Sequence, residues 1–284
     1  MSRPPNKIER QGIAEETQSL TTNILNTTNA SNEAILYSRL LPALPTSDNT
    51  TKPKLSIQNM DSFTAAKTIL DTNPSAKIGV LNMASERNPG GGWLRGALAQ
   101  EEALCMRSTL AATLYKRFYP LPIYGAIWSP SVAVFRGEIG SWGRVYQPEE
   151  IFSVGVISMP ALRRPTLTGD KKRFGEWSLN VAFLFHFSFL ISGEIARPQD
   201  VDILKNKMRQ IFRILAQNKI THCVLGAMGC GAFQNPPAEV ARIYKEVLEE
   251  SEWNGLFEEI MFAVLDTRGE SNYTIFSNTL IDTV

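Results

Sequence analysis

The feature that most constrains the fold is a regular alternation of short apolar runs with longer stretches of helix formers. Strand candidates are Lys77–Met83, Val132–Arg136, Ser153–Ser158, His222–Ala227 and Glu259–Leu265. They are apolar, bounded by polar residues and too short to be read as helices. Between them lie helix candidates at Ala97–Leu114, Arg173–Ser192, Asp200–Asn218 and Ala238–Glu250. From Asp200 onwards Val201, Leu204, Met208, Ile211 and Leu215 recur at helical spacing. Such alternation specifies an α/β sandwich with a mostly parallel or mixed sheet.

The first 75 residues have a different texture. Ile8–Leu25 is helix-like, and Asp61–Leu70 reads as a short helix capped by Asp61 or Ser62. No Gly/Ser linker and no repeat separates this part, so residues 1–75 are read as a mainly helical accessory region packed on a core at residues 76–284.

Within this frame one stretch carries the chemistry: Asn88-Pro-Gly-Gly-Gly-Trp-Leu-Arg-Gly-Ala-Leu-Ala-Gln-Glu-Glu102. It follows the strand at Lys77–Met83 and opens a helix. In open α/β sheets ligands bind outside the carboxyl ends of the strands, where such loops sit. Gly90, Gly91 and Gly92 allow positive φ and a close backbone approach. A turn needs one or two glycines; a third asks for another reason, and amides offered to a ligand supply one. Glu101 and Glu102 bring the carboxylic acid that glycosidic chemistry requires. Adjacent helical residues point about 100° apart, so the two should be unequal: one a proton donor, the other an orienting or hydroxyl-binding partner. The donor's pKa should be raised by partial burial and by its neighbour's charge. A plainer reading is an acidic helix start favoured by the dipole.

A second loop, Leu225-Gly-Ala-Met-Gly-Cys-Gly-Ala-Phe-Gln-Asn-Pro-Pro237, follows another apolar strand and precedes a helix that opens on proline. Gly229, Cys230, Gly231, Ala232 and Phe233 would set free amides around a phosphate. Phe233 fits either a stacking role or the core, and Cys230 serves as a small residue with no adjacent histidine to activate it.

Gly-Gly-Gly followed by Gln-Glu-Glu resembles the signature of the poly(ADP-ribose) glycohydrolases, and the surrounding residues (Asn82, Asn88, Ala99–Leu104, Arg107-Ser-Thr) resemble the microbial and fungal type. The second loop is similar to a macrodomain diphosphate loop, and Ser129–Arg136 to a further segment of that family. The resemblance spans roughly Ile8 to Leu280. It implies a macrodomain-like three-layer α/β/α sandwich with a mixed sheet, and an exo-acting hydrolase of ribose–ribose O-glycosidic bonds that releases ADP-ribose and so reverses ADP-ribosylation, in the DNA damage response among other settings. Glu102 would be the general acid and Glu101 its support. Asn82, Asn88, Gln100, the glycine triplet and Gly229–Phe233 would bind substrate, with Asn88 equally suited to a turn. Arg95 and Arg107 would be placed to meet phosphate; Phe135 and Arg136 are weaker candidates. The competing readings are an ADP-ribose-binding macrodomain without turnover and a hydrolase of mono-ADP-ribosylated targets.

Composition excludes other classes. With 29 basic and 28 acidic residues, formal net charge is +1, without the clustered basic excess of a sequence-specific nucleic-acid binder. A 43% apolar content supports a full core. Cys105, Cys223 and Cys230 with His186 and His222 show no metal-ligand spacing, so no metal or cofactor is expected. The N-terminus lacks an apolar h-region, and Val181–Ser192 is too short to span a bilayer. The expected setting is intracellular, nuclear or cytoplasmic, with ADP-ribose, its polymer and ADP-ribosylated proteins as partners and no membrane.

Overall fold

The computed structural model describes residues 3–45, 48–168, 193–266, 269 and 271–281. The helix expected at Arg173–Ser192, with His186, lies outside them.

Among the described residues, the strands are β1 (Ile35–Tyr37), β2 (Lys54–Gln58), β3 (Ile78–Met83), β4 (Ala126–Val134), β5 (Phe152–Met159), β6 (His222–Leu225) and β7 (Glu259–Ala263). They form one sheet in the order β1-β4-β5-β3-β6-β7-β2. Only the β1–β4 and β4–β5 pairings are antiparallel; β5, β3, β6, β7 and β2 run parallel. Their carboxyl ends therefore emerge on one edge, where a ligand crevice is expected.

The period of two along each strand sorts the side chains into two cores. Leu81, Ile157, Met159, Cys223, Leu225, Ile260 and Phe262 face α4 (Pro198–Gln217), α5 (Pro237–Leu248) and α6 (Asn272–Leu280). Val80, Val154, Val156, Val224 and Met261 face α1 (Lys7–Thr27), α2 (Ser62–Thr72) and α3 (Gln100–Arg107). The three layers agree with the expected sandwich. Fully buried Phe63, Phe212, Phe262 and Phe276 each contribute on the order of 2–3 kcal/mol by removal from water.

Residues 1–75, read from sequence as an accessory region, supply α1, α2 and both edge strands of the sheet. β1 pairs with β4, and β2 with β7 about two hundred residues downstream. Asp61 is the α2 cap: its Oδ1 accepts from Phe63 N (3.0 Å) and Thr64 N (3.1 Å). The helix α1 braces the loop that follows β3 and α3 together. Its Arg10 Nε donates to Gly96 O (2.8 Å), and Thr17 Oγ1 donates to Met106 O (2.7 Å).

The stretch Ala97–Leu114, expected as one helix, is helical only over Gln100–Arg107. At Ser108 the chain turns extended and bridges to Val134; Thr109 N donates to Ala133 O and Phe135 N to Arg107 O. The far end of β4 offers unpaired main-chain groups, and satisfying them outweighs continuing the helix. β4 also starts earlier than the expected Val132, with a bulge between Ser129 and Val132. No helix among the described residues is long and apolar enough to cross a membrane.

Candidate active site

β3 is paired with β6 only as far as Val80–Val224, while its pairing with β5 continues to Met83–Met159. Beyond Val80 the two strands diverge, and Leu81 O and Met83 N on the β6 side lose their strand partner. Gln100 replaces it. Its Oε1 accepts from Met83 N (2.8 Å), and its Nε2 donates to Leu81 O (2.6 Å) and Ser62 Oγ (3.1 Å). Both ends of the amide are engaged, so Gln100 fixes the start of α3 on β3 and thereby orients the two acids that follow it.

This clamp puts the next two residues at the end of β3. Glu101 is 4% exposed. Its Oε2 accepts from Ser85 N (2.7 Å) and its Oε1 from Asn82 Nδ2 (3.5 Å). Burial pushes its carboxyl up to about 8; the Ser85 amide opposes this and the charge of Glu102 adds to it. Glu102 is half-buried. Its Oε1 accepts from Gly92 N (2.8 Å) and its Oε2 from Ala99 N (3.0 Å), the latter a helix-capping contact. Glu101 is the carboxyl removed from water, and it is there that burial raises the pKa.

The two carboxylates also converge more closely than the helical angle suggests. Gly91 has φ +61°, and a Cβ there would collide with Glu102 Oε1 and come within 3.1 Å of Glu101 Oε2. Three rotatable bonds in each side chain undo the splay of their Cα atoms at the first turn. Gly91 is a glycine for two reasons, its left-handed backbone and the space between the acids.

The triplet's amides, expected to face a ligand, are used internally. Gly90 N–H and Gly92 N–H hold Glu101 and Glu102, and Gly91 N donates to Asn88 O (3.0 Å). Asn88 is exposed in this turn, its N donating to Ser85 Oγ (3.1 Å). Asn82, expected to bind a ribose hydroxyl, is fully buried: Nδ2 donates to Ser158 Oγ (2.9 Å), and Oδ1 has no partner. Tyr119 Oη is likewise buried without a partner, and burial and then the Glu101 charge drive its pKa upward. Ser85, Ser158 and Tyr119 were not singled out from sequence. Nothing local marks them, and only the sheet register and the loop path bring them to Glu101.

The loop after β6 is the neighbour of this site. Gly229 has φ +77°, and a Cβ there would come within 2.7 Å of Ala161. Asn235 ties the loop shut: its N donates to Gly229 O (3.0 Å), its Nδ2 to Leu162 O (2.7 Å). Arg164 N donates to Phe233 O (2.7 Å). Among the described residues, the amides of Gly229, Gly231, Ala232 and Phe233 have no partner, the condition expected of an anion-binding loop. Phe233 is half-buried with Arg163 over its ring at 5.9 Å. Cys230 is buried, and burial drives its thiol pKa upward, away from nucleophilic use.

The remaining candidates separate. Arg95 is exposed beside the glycine turn. Arg107, expected near phosphate, is buried: it pairs with Asp61, its Nε donates to Arg136 O (3.1 Å) and it lies over Phe63 at 5.5 Å. Phe135 is core. Arg136 is buried, donating to Gly143 O (2.8 Å) and Glu16 Oε2 (2.7 Å). These residues fasten α1, α2 and α3 to β4, although Arg136 Nε is buried without a partner.

Residues 10–137 match the family model "Microbial-type PARG, catalytic domain". No curated protein matches the chain. Among solved structures, the fold is similar to poly(ADP-ribose) glycohydrolase (PARG) from Thermomonospora curvata, at TM-score 0.74 and 24% identity, covering 95% of this chain and 98% of that one. The same protein bound to the inhibitor ADP-HPD matches at TM-score 0.70 and 24% identity, covering 94% and 98%. PARG from Deinococcus radiodurans in complex with ADP-ribose matches at TM-score 0.64 and 26% identity, covering 95% and 93%. The expected three-layer α/β/α sandwich with a mixed sheet is the architecture these structures share.

Proposed function

We propose that this chain is a poly(ADP-ribose) glycohydrolase that hydrolyses ribose–ribose O-glycosidic bonds and releases ADP-ribose. The observation that carries the reading is the convergence of Glu101 and Glu102 on Gly91, at the open end of β3 and beside a loop of unpaired amides. The diphosphate of a terminal ADP-ribose would lie on the Gly229–Phe233 amides, with Phe233 against the adenine or proximal ribose. Its distal ribose would then meet the glycine turn and Asn88.

Burial raises Glu101 to about 8, so at neutral pH it holds a proton that it can pass to Glu102, whose carboxylate converges with it on Gly91. Glu102 is the member a glycosidic oxygen can reach, so it acts as the general acid. It protonates the leaving ribose oxygen while the bond to the anomeric carbon breaks through an oxocarbenium-like state. Water attacks that carbon and returns a proton to the carboxylate. Glu101 supports it by supplying that proton from its buried carboxyl, and a bound diphosphate dianion further favours the protonated form of Glu101. ADP-ribosylated proteins inside the cell are the corresponding partners.

The test is incubation of wild type and Glu102→Gln with auto-modified polymer, following free ADP-ribose. Wild type should release it, and the variant should bind polymer while releasing at least about a hundredfold less. Polymer binding without release by wild type would favour a reader instead. Release only from a mono-modified peptide would reassign the substrate.

A further inference from the structure

Beside the proposed site, on its β5 side, lies a separate cleft of about 190 Å³ at the carboxyl ends of β3 and β5. Leu121, Ile123 and Ala161 form its apolar walls, and Glu86, Arg163 and Lys207 its charged groups. Lys207 comes from α4 and is only 3% exposed. Its ammonium donates to Ile123 O and lies 4.0 Å from Met159 Sδ. Among the described residues no carboxylate oxygen comes within ion-pairing distance of it. A lysine ammonium has three donors, and a buried charge without a counter-ion is costly unless a ligand completes it. Burial lowers its pKa to about 8, opposed by the charge of Glu86, so it stays mostly charged at neutral pH.

The cleft adjoins both halves of the proposed site. Glu86 follows Ser85, whose amide holds Glu101 Oε2; Glu86 O also accepts from Leu121 N (2.9 Å). Arg163 lines the cleft and sits over Phe233 of the amide-rich loop. Ala161 is the residue against which Gly229 packs. A group leaving the acid on the β5 side of the glycine turn would enter here.

We infer that this cleft binds a nucleoside-phosphate group on the leaving side of the scissile bond, an assignment that rests on the hydrolase reading. A phosphate would meet Lys207 and Arg163, sugar hydroxyls would meet Glu86, and the ring would lie on Leu121, Ile123 and Ala161.

The test uses adenosine monophosphate as probe, titrated by calorimetry into protein already saturated with ADP-ribose. Wild type should take up one further equivalent, and Lys207→Met and Arg163→Gln should each weaken this about tenfold, with Lys207→Arg retaining it. On polymer both weakening variants should raise KM about tenfold with kcat unchanged. Hydrolysis of an ADP-ribosyl ether with a small neutral leaving group should be unaffected. Arg163, at the rim, keeps the test open if Lys207→Met does not fold. No uptake of the probe by the wild-type complex, or an equal change in KM for both substrates, overturns the assignment. Lys207-dependent uptake by a protein that hydrolyses neither substrate keeps the cleft and refutes the hydrolase reading.

Discussion

Replacing Glu101 by glutamine should make the folded protein more stable, and increasingly so as pH rises. In the folded state burial lifts this carboxyl from 4.5 to about 8. Between those values the folded chain holds a proton that the unfolded chain has released. Stability contributed by Glu101 is therefore fully present below pH 4.5 and is lost as pH rises through 8. At about 1.4 kcal/mol per pH unit, the loss is roughly 3 kcal/mol by pH 7 and on the order of 5 kcal/mol above pH 8. Glutamine keeps the shape, accepts the Ser85 amide and does not ionise. Urea denaturation of wild type and Glu101→Gln, followed by fluorescence of the buried Trp93, Trp128 and Trp253, should give a gap that widens from pH 5 to pH 9. A gap that is constant, or that closes as pH rises, would refute the claim that Glu101 is a buried carboxyl held neutral by the fold. The same variant should lose hydrolysis, because stability and activity make opposite demands on this residue.

Lys207 runs the other way: its folded pKa is lowered from 10.5 to about 8, so it adds stability as pH rises from 8 to 10.5, and Lys207→Met should abolish that rise in the same denaturation series. Gln100→Ala strands Leu81 O and Met83 N; at about 1 kcal/mol or more for each lost bond, denaturation should show a loss of about 2–4 kcal/mol. Gly91→Ala places a Cβ at φ +61° between the acids; a cost of about 1–2 kcal/mol leaves the fold intact, and initial-rate assays on polymer should show a drop of about a hundredfold from displaced carboxylates.

The order of strands and helices was legible because each central strand is a compact apolar run and each α4- or α5-type helix a periodic one. The glycine turn between β3 and α3 was legible for the same reason, together with Asp61 as a cap. β1 and β2 were not: they are short edge strands whose partners lie far along the chain, and their half-polar sequences carry no periodic signal. The break after Arg107 was missed because composition from Ala97 to Leu114 favours helix, while the deciding term is the unpaired end of β4. The candidate acids were visible as Gln100-Glu101-Glu102, but the division of labour was not. Gln100 reads as a ligand group until β6 is seen to diverge from β3. Glu101 reads as a helical neighbour pointing elsewhere until side-chain reach brings it back to Gly91. Arg107 reads as a phosphate ligand until Asp61 is found to pair with it.

The central claim is that the Glu101–Glu102 pair carries the proton used in glycosidic cleavage. The pH dependence of kcat/KM for ADP-ribose release from polymer, from pH 6 to pH 10, tests it most directly. The rate should fall about tenfold per pH unit once pH passes roughly 8, as the pair loses its proton. A rate that stays level to pH 10 would contradict it.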